Sequence, residues 1–215
     1  MFGRVDLLTY ATKKDMNMTA NVLLTAPAVE PVSLAEMKSF ARVGTTADDD
    51  LMTSLIKASR QWCEKFTGRA FISQTWRLWV SFPPKKREII LPRAPLVSLT
   101  QILFYNAQDQ SSEWDEDNIF VDAASILGRI VLKDSAVWPQ FQRSANSMMI
   151  DYVAGYGDLE SDVPQALKIA IMQLALHWYE NREAVLSNES AYRVPLTVEA
   201  LLQSYRIYNV GGSCV

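Results

Sequence analysis

The sequence has few of the residues from which metal sites and disulfide frameworks are built. It contains one histidine and two cysteines in 215 residues. Zinc sites need three or four ligands at recognisable spacing, and disulfide-stabilised domains carry several cysteine pairs. Cys63 lies in a helical pattern and Cys214 lies next to the C-terminus, so the two are not expected to form a framework. We therefore expect no metal ion, no cofactor and no structural disulfide.

Long apolar runs and a strong net charge are also absent. The chain is 49% hydrophobic and 21% charged, with a formal net charge of -3. No segment reaches the roughly 20 apolar residues of a membrane-spanning helix, and the N-terminus lacks the apolar run of a signal peptide. A mildly acidic chain is not expected to coat nucleic acid by charge alone. We expect a globular protein of a reducing, aqueous compartment, with no membrane partner.

Two helices are predicted near the N-terminus. Ser33 and Glu36 form a capping box, in which each side chain bonds a backbone N–H of the first helical turn. This first helix is predicted to end near Arg42, with Gly44 as its stop signal. A second helix is predicted from the acidic run at residues 48–50, whose charges suit a helix N-terminus, to Gly68.

The second helix carries two apolar stripes at steps of three and four residues, which is the helical period. The wider stripe consists of Leu51, Leu55, Ala58, Trp62 and Phe66. The narrower stripe beside it consists of Met52, Ile56 and Cys63. A face of this width is expected to pack against more than one neighbour.

Two further helices are predicted near the C-terminus. An acidic cap before Pro164 marks the start of the third helix. Residues 166–179 of this helix are apolar almost all round, so the helix must be covered by its own bundle or by another subunit. A last helix is predicted over residues 197–205.

The period changes to two between these helical regions. Trp76, Leu78, Val80 and Phe82 alternate with more polar residues, which is typical of a half-buried strand. Further strand-like runs are residues 88–91, 97–105, 119–122, 129–133 and 148–153. Turn-rich stretches at 106–112 and 155–157 separate them, with no helical pattern between the strands. We therefore expect an antiparallel sheet.

These elements predict an α+β protein, in which a helical bundle of four helices carries an inserted antiparallel β-sheet domain. Residues 31–70 and 162–206 are expected to form the bundle, and residues 74–157 the β-insertion. Residues 1–30, with two prolines and no clear period, are predicted to be an extended N-terminal arm. Residues 207–215 are predicted to be an extended C-terminal tail.

Three motifs resemble chemical sites, and each has a simpler structural interpretation. His177 and Glu180 lie one turn apart. Base catalysis would need a partner group for the base to activate, and a metal ion would need further ligands; the sequence pattern offers neither. A hydrogen-bonded structural or interface histidine is favoured over a catalytic one. The acidic run at 48–50 is favoured as a helix cap over a cation site, because a calcium loop needs a glycine and a closing glutamate. The glycines at 155 and 157 indicate a tight turn rather than a phosphate loop.

Three surface features are candidates for assembly contacts. Lys85, Lys86 and Arg87 form the only compact basic cluster; it is either a solvated hairpin tip or a loop that faces DNA or an acidic neighbour. Because the third helix has little polar surface, part of its face is predicted to lie between subunits, at Ile169 and Met172. The C-terminal segment alternates apolar and polar side chains, as does a strand laid along a partner. Its residues are Tyr205, Arg206, Ile207, Tyr208 and Val210.

From about Pro31 to Arg206 the chain resembles the head-to-tail connector (adaptor, or head-completion) proteins of long-tailed phages and gene transfer agents. The similar segments occur in the family's order with its spacing. They are PVSLAE (31–36), TGR (67–69), QTW (74–76), LPRAPL (91–96), GRI (128–130), YVAGYG (152–157), VP (163–164) and HWYENRE (177–183). Family members commonly begin near residues 23–27, so residues 1–22 look like an addition, and the tail beyond Arg206 is poorly covered.

The resemblance implies a non-enzymatic structural virion protein, synthesised in the host cytoplasm and located in the neck between capsid portal and tail. It implies a homo-oligomeric ring, dodecameric, that docks under the portal protein and joins it to a stopper or tail-completion protein. DNA would pass through the ring without sequence-specific binding. The C-terminal tail would be the portal-docking element, because connector tails in this family tend to reach into the portal.

Three alternatives remain open. A stopper or tail-completion ring is the nearest, although a β-rich chain without long helices would fit that role better. A small enzyme using His177 and Glu180 belongs to another class, and it would lose turnover on substitution of the histidine. A DNA-binding module would show strong, salt-dependent binding to free duplex.

Overall fold

A computed structural model describes residues 19–81, 84, 86–140, 142–181 and 194–208. Its helices are α1 (Leu34–Ala41), α2 (Asp49–Thr67), α3 (Gln165–Glu180) and α4 (Leu196–Gln203). Its strands are β1 (Thr19–Thr25), β2 (Gln74–Val80), β3 (Glu88–Ile90), β4 (Leu96–Tyr105), β5 (Ser111–Glu113), β6 (Ile119–Asp122), β7 (Arg129–Leu132) and β8 (Met148–Ala154). Single-turn 3₁₀ helices occupy 116–118 and 160–162. The predicted α+β class is confirmed.

The strands pair antiparallel as the sequence predicts, but they form two sheets instead of one. One has five strands in the order β1-β2-β8-β4-β5, and the other has three in the order β3-β7-β6. β2 alternates between buried and half-buried residues, so Trp76, Leu78 and Val80 enter the core between the sheets. Phe82, the last residue of the predicted alternation, lies outside the described residues.

β1 was not expected as part of the sheet. Residues 19–25, predicted to belong to an extended arm, pair antiparallel with β2, from Thr19 opposite Val80 to Thr25 opposite Thr75. The segment is extended, but its sequence TANVLLT has no period-two alternation because both of its faces stay partly open. Val22 and Leu24 are 47% and 44% exposed. The sheet therefore ends in an apolar edge strand.

α1 begins and ends by identifiable backbone bonds. The predicted capping box is confirmed: Glu36 N–H donates to Ser33 Oγ at 3.2 Å, and Ser33 N–H donates to Glu36 Oε2 at 2.9 Å. The predicted stop at Gly44 is wrong. Arg42 takes the left-handed conformation (φ 55°), which lets Val43 N–H reach the carbonyl of Lys38 at 3.0 Å.

The two apolar stripes of α2 differ in burial. The narrower stripe is the buried one, with Met52, Ile56 and Cys63 at most 2% exposed. The wider stripe is half-buried or exposed along its length, and Leu51 at its start is 37% exposed. Arg60 and Glu64, which are buried, complete the inner face of α2, so apolar spacing alone does not show which stripe is buried.

The described helices pack around one core. α3 contacts α1, α2 and α4, and its residues Leu167, Ile171 and Leu174 are fully buried. Helices α1 and α2 supply Met37 and Ile56 to the same cluster. Much of the cover that the apolar α3 requires thus comes from its own chain.

A buried charged pair lies where the helices meet the five-stranded sheet. Arg60 and Glu64 of α2 are 2% and 7% exposed, and Arg60 Nη1 lies 2.6 Å from Glu64 Oε2. The other carboxylate oxygen of Glu64 accepts from Phe71 N–H at 2.9 Å and from Gln74 Nε2 at 2.6 Å. Glu30, just after β1, lies 2.6 Å from Arg60 Nε. The network ties α2 to the ends of β1 and β2.

Hydrogen bonds and the charge of Arg60 compensate part of the desolvation free energy of the buried Glu64 carboxyl. Burial raises its pKa, and the positive charge of Arg60 and the N–H donors of Phe71 and Gln74 offset part of that rise. A buried ion pair adds little net stability when intact, but removing one partner is costly. Without Glu64, the donors of Phe71 and Gln74 would lose their acceptor and the buried Arg60 would keep only Glu30.

Glu64→Ala should therefore lower the free energy of unfolding by about 3–5 kcal/mol. Lys38→Ala is the matched control, because it breaks the partly exposed pair of Lys38 with Asp49 (2.6 Å) and should cost at most about 1 kcal/mol. Urea unfolding followed by tryptophan fluorescence measures both. Equal losses in the two variants would contradict a structural role for the buried network.

Candidate functional site: assembly surfaces

The structure does not bring His177 and Glu180 into a reactive arrangement. His177 Nδ1 lies 3.3 Å from the side-chain nitrogen of Asn181, whose backbone N–H donates to the His177 carbonyl at 3.1 Å. The ring thus contacts the end of its own helix. Among the described residues, no group of three or more His, Cys, Asp or Glu side chains is placed to hold a metal ion. No described helix is long and apolar enough to cross a membrane.

The acidic run before α2 joins three helices. Asp48 occupies the N-cap position as predicted, but its side chain makes no capping hydrogen bond. Instead its carboxylate accepts from Tyr179 Oη of α3 at 2.6 Å, and Asp49 pairs with Lys38 of α1 at 2.6 Å. These carboxylates orient helices and are engaged by described partners.

The turn at 155–157 is a point of close backbone approach, as the two glycines predict. A Cβ at Gly155 would lie 2.5 Å from the backbone nitrogen of Ser73, and a Cβ at Gly157 would lie 2.2 Å from Asp162 Oδ2. Both glycines are therefore required by packing between the sheet and the segment that leads to α3.

The basic cluster is only partly free. Arg87 Nη2 donates to the carbonyls of Lys133 and Ala136, at 2.6 and 3.1 Å, so its guanidinium fastens the loop after β7. Lys86 is exposed, and its carbonyl accepts from Trp138 Nε1 at 2.9 Å. Lys85 lies outside the described residues. Of the two residues of this cluster that the structure describes, Lys86 is therefore the one whose side chain is open to a neighbour.

The two residues predicted to lie between subunits differ in burial. Met172 is 8% exposed and belongs to the helical core of its own chain. Ile169 is half-buried at the margin of that core. The interface prediction for α3 therefore rests on Ile169, because a change at Met172 would disturb the core itself.

The first residues of the predicted tail are bound to the end of α2. Ile207 N–H donates to the Thr67 carbonyl at 2.9 Å, and Arg69 Nε donates to the Tyr205 carbonyl at 2.6 Å. The Ile207 side chain lies against Gly68, where a Cβ would be 3.6 Å away. The tail thus starts from a fixed position on the molecule, and we call residues 205–208 the tail base. Val210 lies outside the described residues.

Aromatic and cationic side chains stack along the wider stripe of α2. The rings of Trp62 and Phe66 are stacked with centroids 5.2 Å apart. The Arg206 guanidinium lies 4.8 Å from the centroid of Phe66 and 5.4 Å from that of Tyr208. Tyr208 remains 53% exposed. We call Trp62, Phe66, Arg206 and Tyr208 the aromatic ladder.

Sequence reasoning did not identify the aromatic ladder, although part of its signal was present. Trp62 and Phe66 are four residues apart, which places two rings in contact on one helix face. Both rings pack against the margin of the helical core. Only the structure shows that the chain returns at Arg206 and stacks its guanidinium on Phe66.

A model of the family described as "HCP: Head completion protein" matches residues 30–208 of this chain. A comparison with curated protein sequences finds no match. Solved structures with a similar chain include assemblies of gene transfer agent (GTA) particles. A chain in "Neck of empty GTA particle computed with C6 symmetry" has 25% identity and a TM-score of 0.76, covering 91% of this chain and 100% of that chain.

Two related assemblies contain chains of the same fold. A chain in "Virion of native gene transfer agent (GTA) particle" has 24% identity and a TM-score of 0.72, over 89% of this chain and 98% of that chain. A chain in "Neck of native GTA particle computed with C12 symmetry" has 24% identity and a TM-score of 0.69, over 90% and 100%. At this identity, these two similarities concern the fold.

The docking of the tail base on α2 can be tested by hydrogen exchange. Ile207→Ser should remove the apolar contact with Gly68 and raise the exchange rate of the residue-207 amide by roughly tenfold or more, since local opening frees its bond to Thr67. Tyr208→Ser is the matched control and should leave that amide protected. Unchanged protection in Ile207→Ser would show that the side chain does not hold the tail base.

Proposed function

Since this chain belongs to the head completion protein family, we propose that it is a ring-forming adaptor of the virion neck, docking under the portal and linking it to the stopper or tail around the DNA channel. The observation that carries the proposal is the family match over residues 30–208. The similarity to a neck chain of a GTA particle, over 91% of this chain and 100% of that one, supports it.

Ring assembly is supported by the symmetry of the related necks and by surfaces of this chain. Those necks were computed with C6 and C12 symmetry, which repeats one chain around an axis. We propose a dodecamer. In a ring each subunit presents two different surfaces to its two neighbours. Exposed apolar side chains that could serve such contacts include Phe40 and Leu51 of α1 and α2, at 40% and 37% exposure.

The C-terminal tail is proposed to dock on the portal. Ile207 and Arg206 fix where it leaves the body of the subunit, next to the aromatic ladder. Anchoring the base of an extended segment reduces the conformational freedom that binding must remove. Exposed Tyr208 would then begin the contact with the partner, and Val210 would continue it.

The basic cluster is proposed to face the DNA path or an acidic neighbour, with Lys86 as its described free charge. The net charge of -3 favours passage of DNA over tight binding. The 19-residue helix α2 favours an adaptor over a β-rich stopper or tail-completion ring. We propose no catalytic role for His177 and Glu180, and the contacts of His177 with Asn181 support a structural one.

The interface role of α3 is tested by Ile169→Glu, which places a charge on a half-buried position at the margin of the core. We expect this variant to keep its circular dichroism spectrum and to lose incorporation into necks by at least about tenfold, because a desolvated, unpaired charge costs several kcal/mol. Gln165→Glu, an exposed change on the same helix, is the control. Normal incorporation of Ile169→Glu, counted by electron microscopy of particles, would remove Ile169 from the interface.

The docking role of the tail is tested by deletion of residues 209–215. This truncation retains the described tail base and should give a folded protein that no longer co-sediments with filled, tailless heads, since docking energy concentrates in a few anchors. Deletion of residues 207–215 should abolish co-sedimentation to the same extent if the residues that bind the portal lie beyond residue 208. Binding of both truncated proteins as tight as that of the full chain would show that the tail is not the docking element.

A further inference from the structure

The five-stranded sheet ends in two open edges of different character. β1 lies at one edge and β5 at the other, and within the described residues neither has a second partner strand. Four strand spacings separate them, about 19 Å across the sheet. An open edge exposes backbone N–H and C=O groups that can pair with another chain. The sheet can therefore be contacted from both ends at once.

A cationic cavity lies beside β1. It has a volume of about 280 Å³ and lies between α2 and the β1–β2 pair. Lys57 and Lys65 of α2, two turns apart, and Arg93 supply its positive charges. No ion pair with a carboxylate is recorded for these three cations in the described part of the chain. Within the described residues, the cavity therefore offers positive charge that no carboxylate neutralises by a direct ion pair.

The walls of the cationic cavity are partly apolar. Leu23 and Ala26 line one side, and Trp76 lies behind them with the Arg93 guanidinium 4.7 Å from its ring centroid. Trp76 is 9% exposed, and its indole N–H has no hydrogen-bond partner among the described residues. Most buried polar groups in native proteins are hydrogen-bonded. This site therefore combines unpaired cations, an unpaired donor and apolar surface.

The opposite edge carries the complementary charge. Glu113 ends β5, and Asp115, Glu116 and Asp117 follow within four residues, all of them exposed. No ion pair is recorded for these four carboxylates in the described part of the chain. We call residues 111–118 the acidic edge. Its half-buried Trp114 adds an aromatic ring to the segment.

We infer that the acidic edge of one subunit docks against β1 and the cationic cavity of the next copy of this chain. The inference rests on the proposed ring, since a ring of identical subunits needs two different, mutually complementary surfaces on each chain. The charges at the two edges are opposite, and both edges lie at the ends of one sheet. Repetition of this contact would bring the sheets of successive subunits side by side.

A protein segment fits the cationic cavity better than nucleic acid does. A phosphate backbone would match the lysines, but it would leave the apolar surface of Val22, Leu23 and Leu24, 40–47% exposed, facing water. An extended peptide supplies backbone groups for the edge, apolar contact and carboxylates together.

Zero-length carbodiimide cross-linking of assembled necks tests the contact directly. The reagent joins a lysine amine to a carboxylate with loss of water, and only where the two groups touch. Particles assembled from a mixture of ¹⁴N- and ¹⁵N-labelled chains should yield mixed-isotope peptides that link Lys57 or Lys65 to residues 113–117. Lys57→Arg/Lys65→Arg is the matched control: it keeps both charges, so necks should assemble and these cross-links should disappear.

Charge exchange provides a second test. Lys57→Glu/Lys65→Glu should reduce neck incorporation by at least about tenfold, because like charges would then face each other across the contact. Adding Glu116→Lys/Asp117→Lys to the same chain should restore most of the loss. Arg42→Glu, an exposed reversal at the end of α1, should have no effect.

The outcomes separate this contact from the ring proposal. Necks that assemble from the wild-type chain without the predicted cross-links would overturn the contact and leave the ring in place. If the charge-reversed chain assembles normally but particles lose DNA, the lysines face nucleic acid, and the contact is again overturned. If the wild-type chain never enters a neck, the proposed ring fails and the inference fails with it.

Discussion

The Glu64 carboxylate lies buried where α2 meets the start of β2. Arg60 of the same helix bonds one of its oxygens, and Phe71 N–H and Gln74 bond the other. Arg60 in turn holds Glu30 beside β1. Because the pair is buried, each group can be desolvated only while the others are in place. This set of bonds joins α2 to the start of β2, and Arg60, Glu64 and Gln74 all line the cavity beside β1.

How far the sequence predicts the fold depends on whether the signal is local. The capping box at Ser33, the alternation of β2 and the glycine at 68 act through neighbours in the chain, and their elements form where predicted. β1 depends on a distant partner and carries no periodic pattern, so it was missed. β5 was missed because its three residues form a short hairpin with β4, where the sequence predicts a turn. Apolar spacing finds both stripes of α2, but hydrophobic periodicity does not register Arg60 and Glu64, which are buried as a bonded pair.

The candidate surfaces were predictable to a similar degree. Composition indicated that the C-terminal segment and the third helix carry contact residues, but only the structure shows that Met172 is core and that Ile207 is bound to α2. The opposite charges at the sheet edges could not be inferred from the sequence, because which segments share a sheet is a tertiary property. Lys57 and Glu116 are 59 positions apart in the chain. Only the strand order β1-β2-β8-β4-β5 shows that they lie near opposite edges of one sheet.

The pairing of β1 with β2 also has a consequence for synthesis of the chain. Thr19 is opposite Val80, so β1 leaves the ribosome about 60 residues before its partner strand is complete. At ordinary translation speeds of about 5–20 residues per second, that is a wait of several seconds. β2 in turn pairs with β8, which ends at Ala154, so the sheet cannot close until most of the chain has been made. During this interval the apolar segment Val22–Leu24 has no native partner strand. The faster β2 is synthesised, the less time this segment has to associate with other chains.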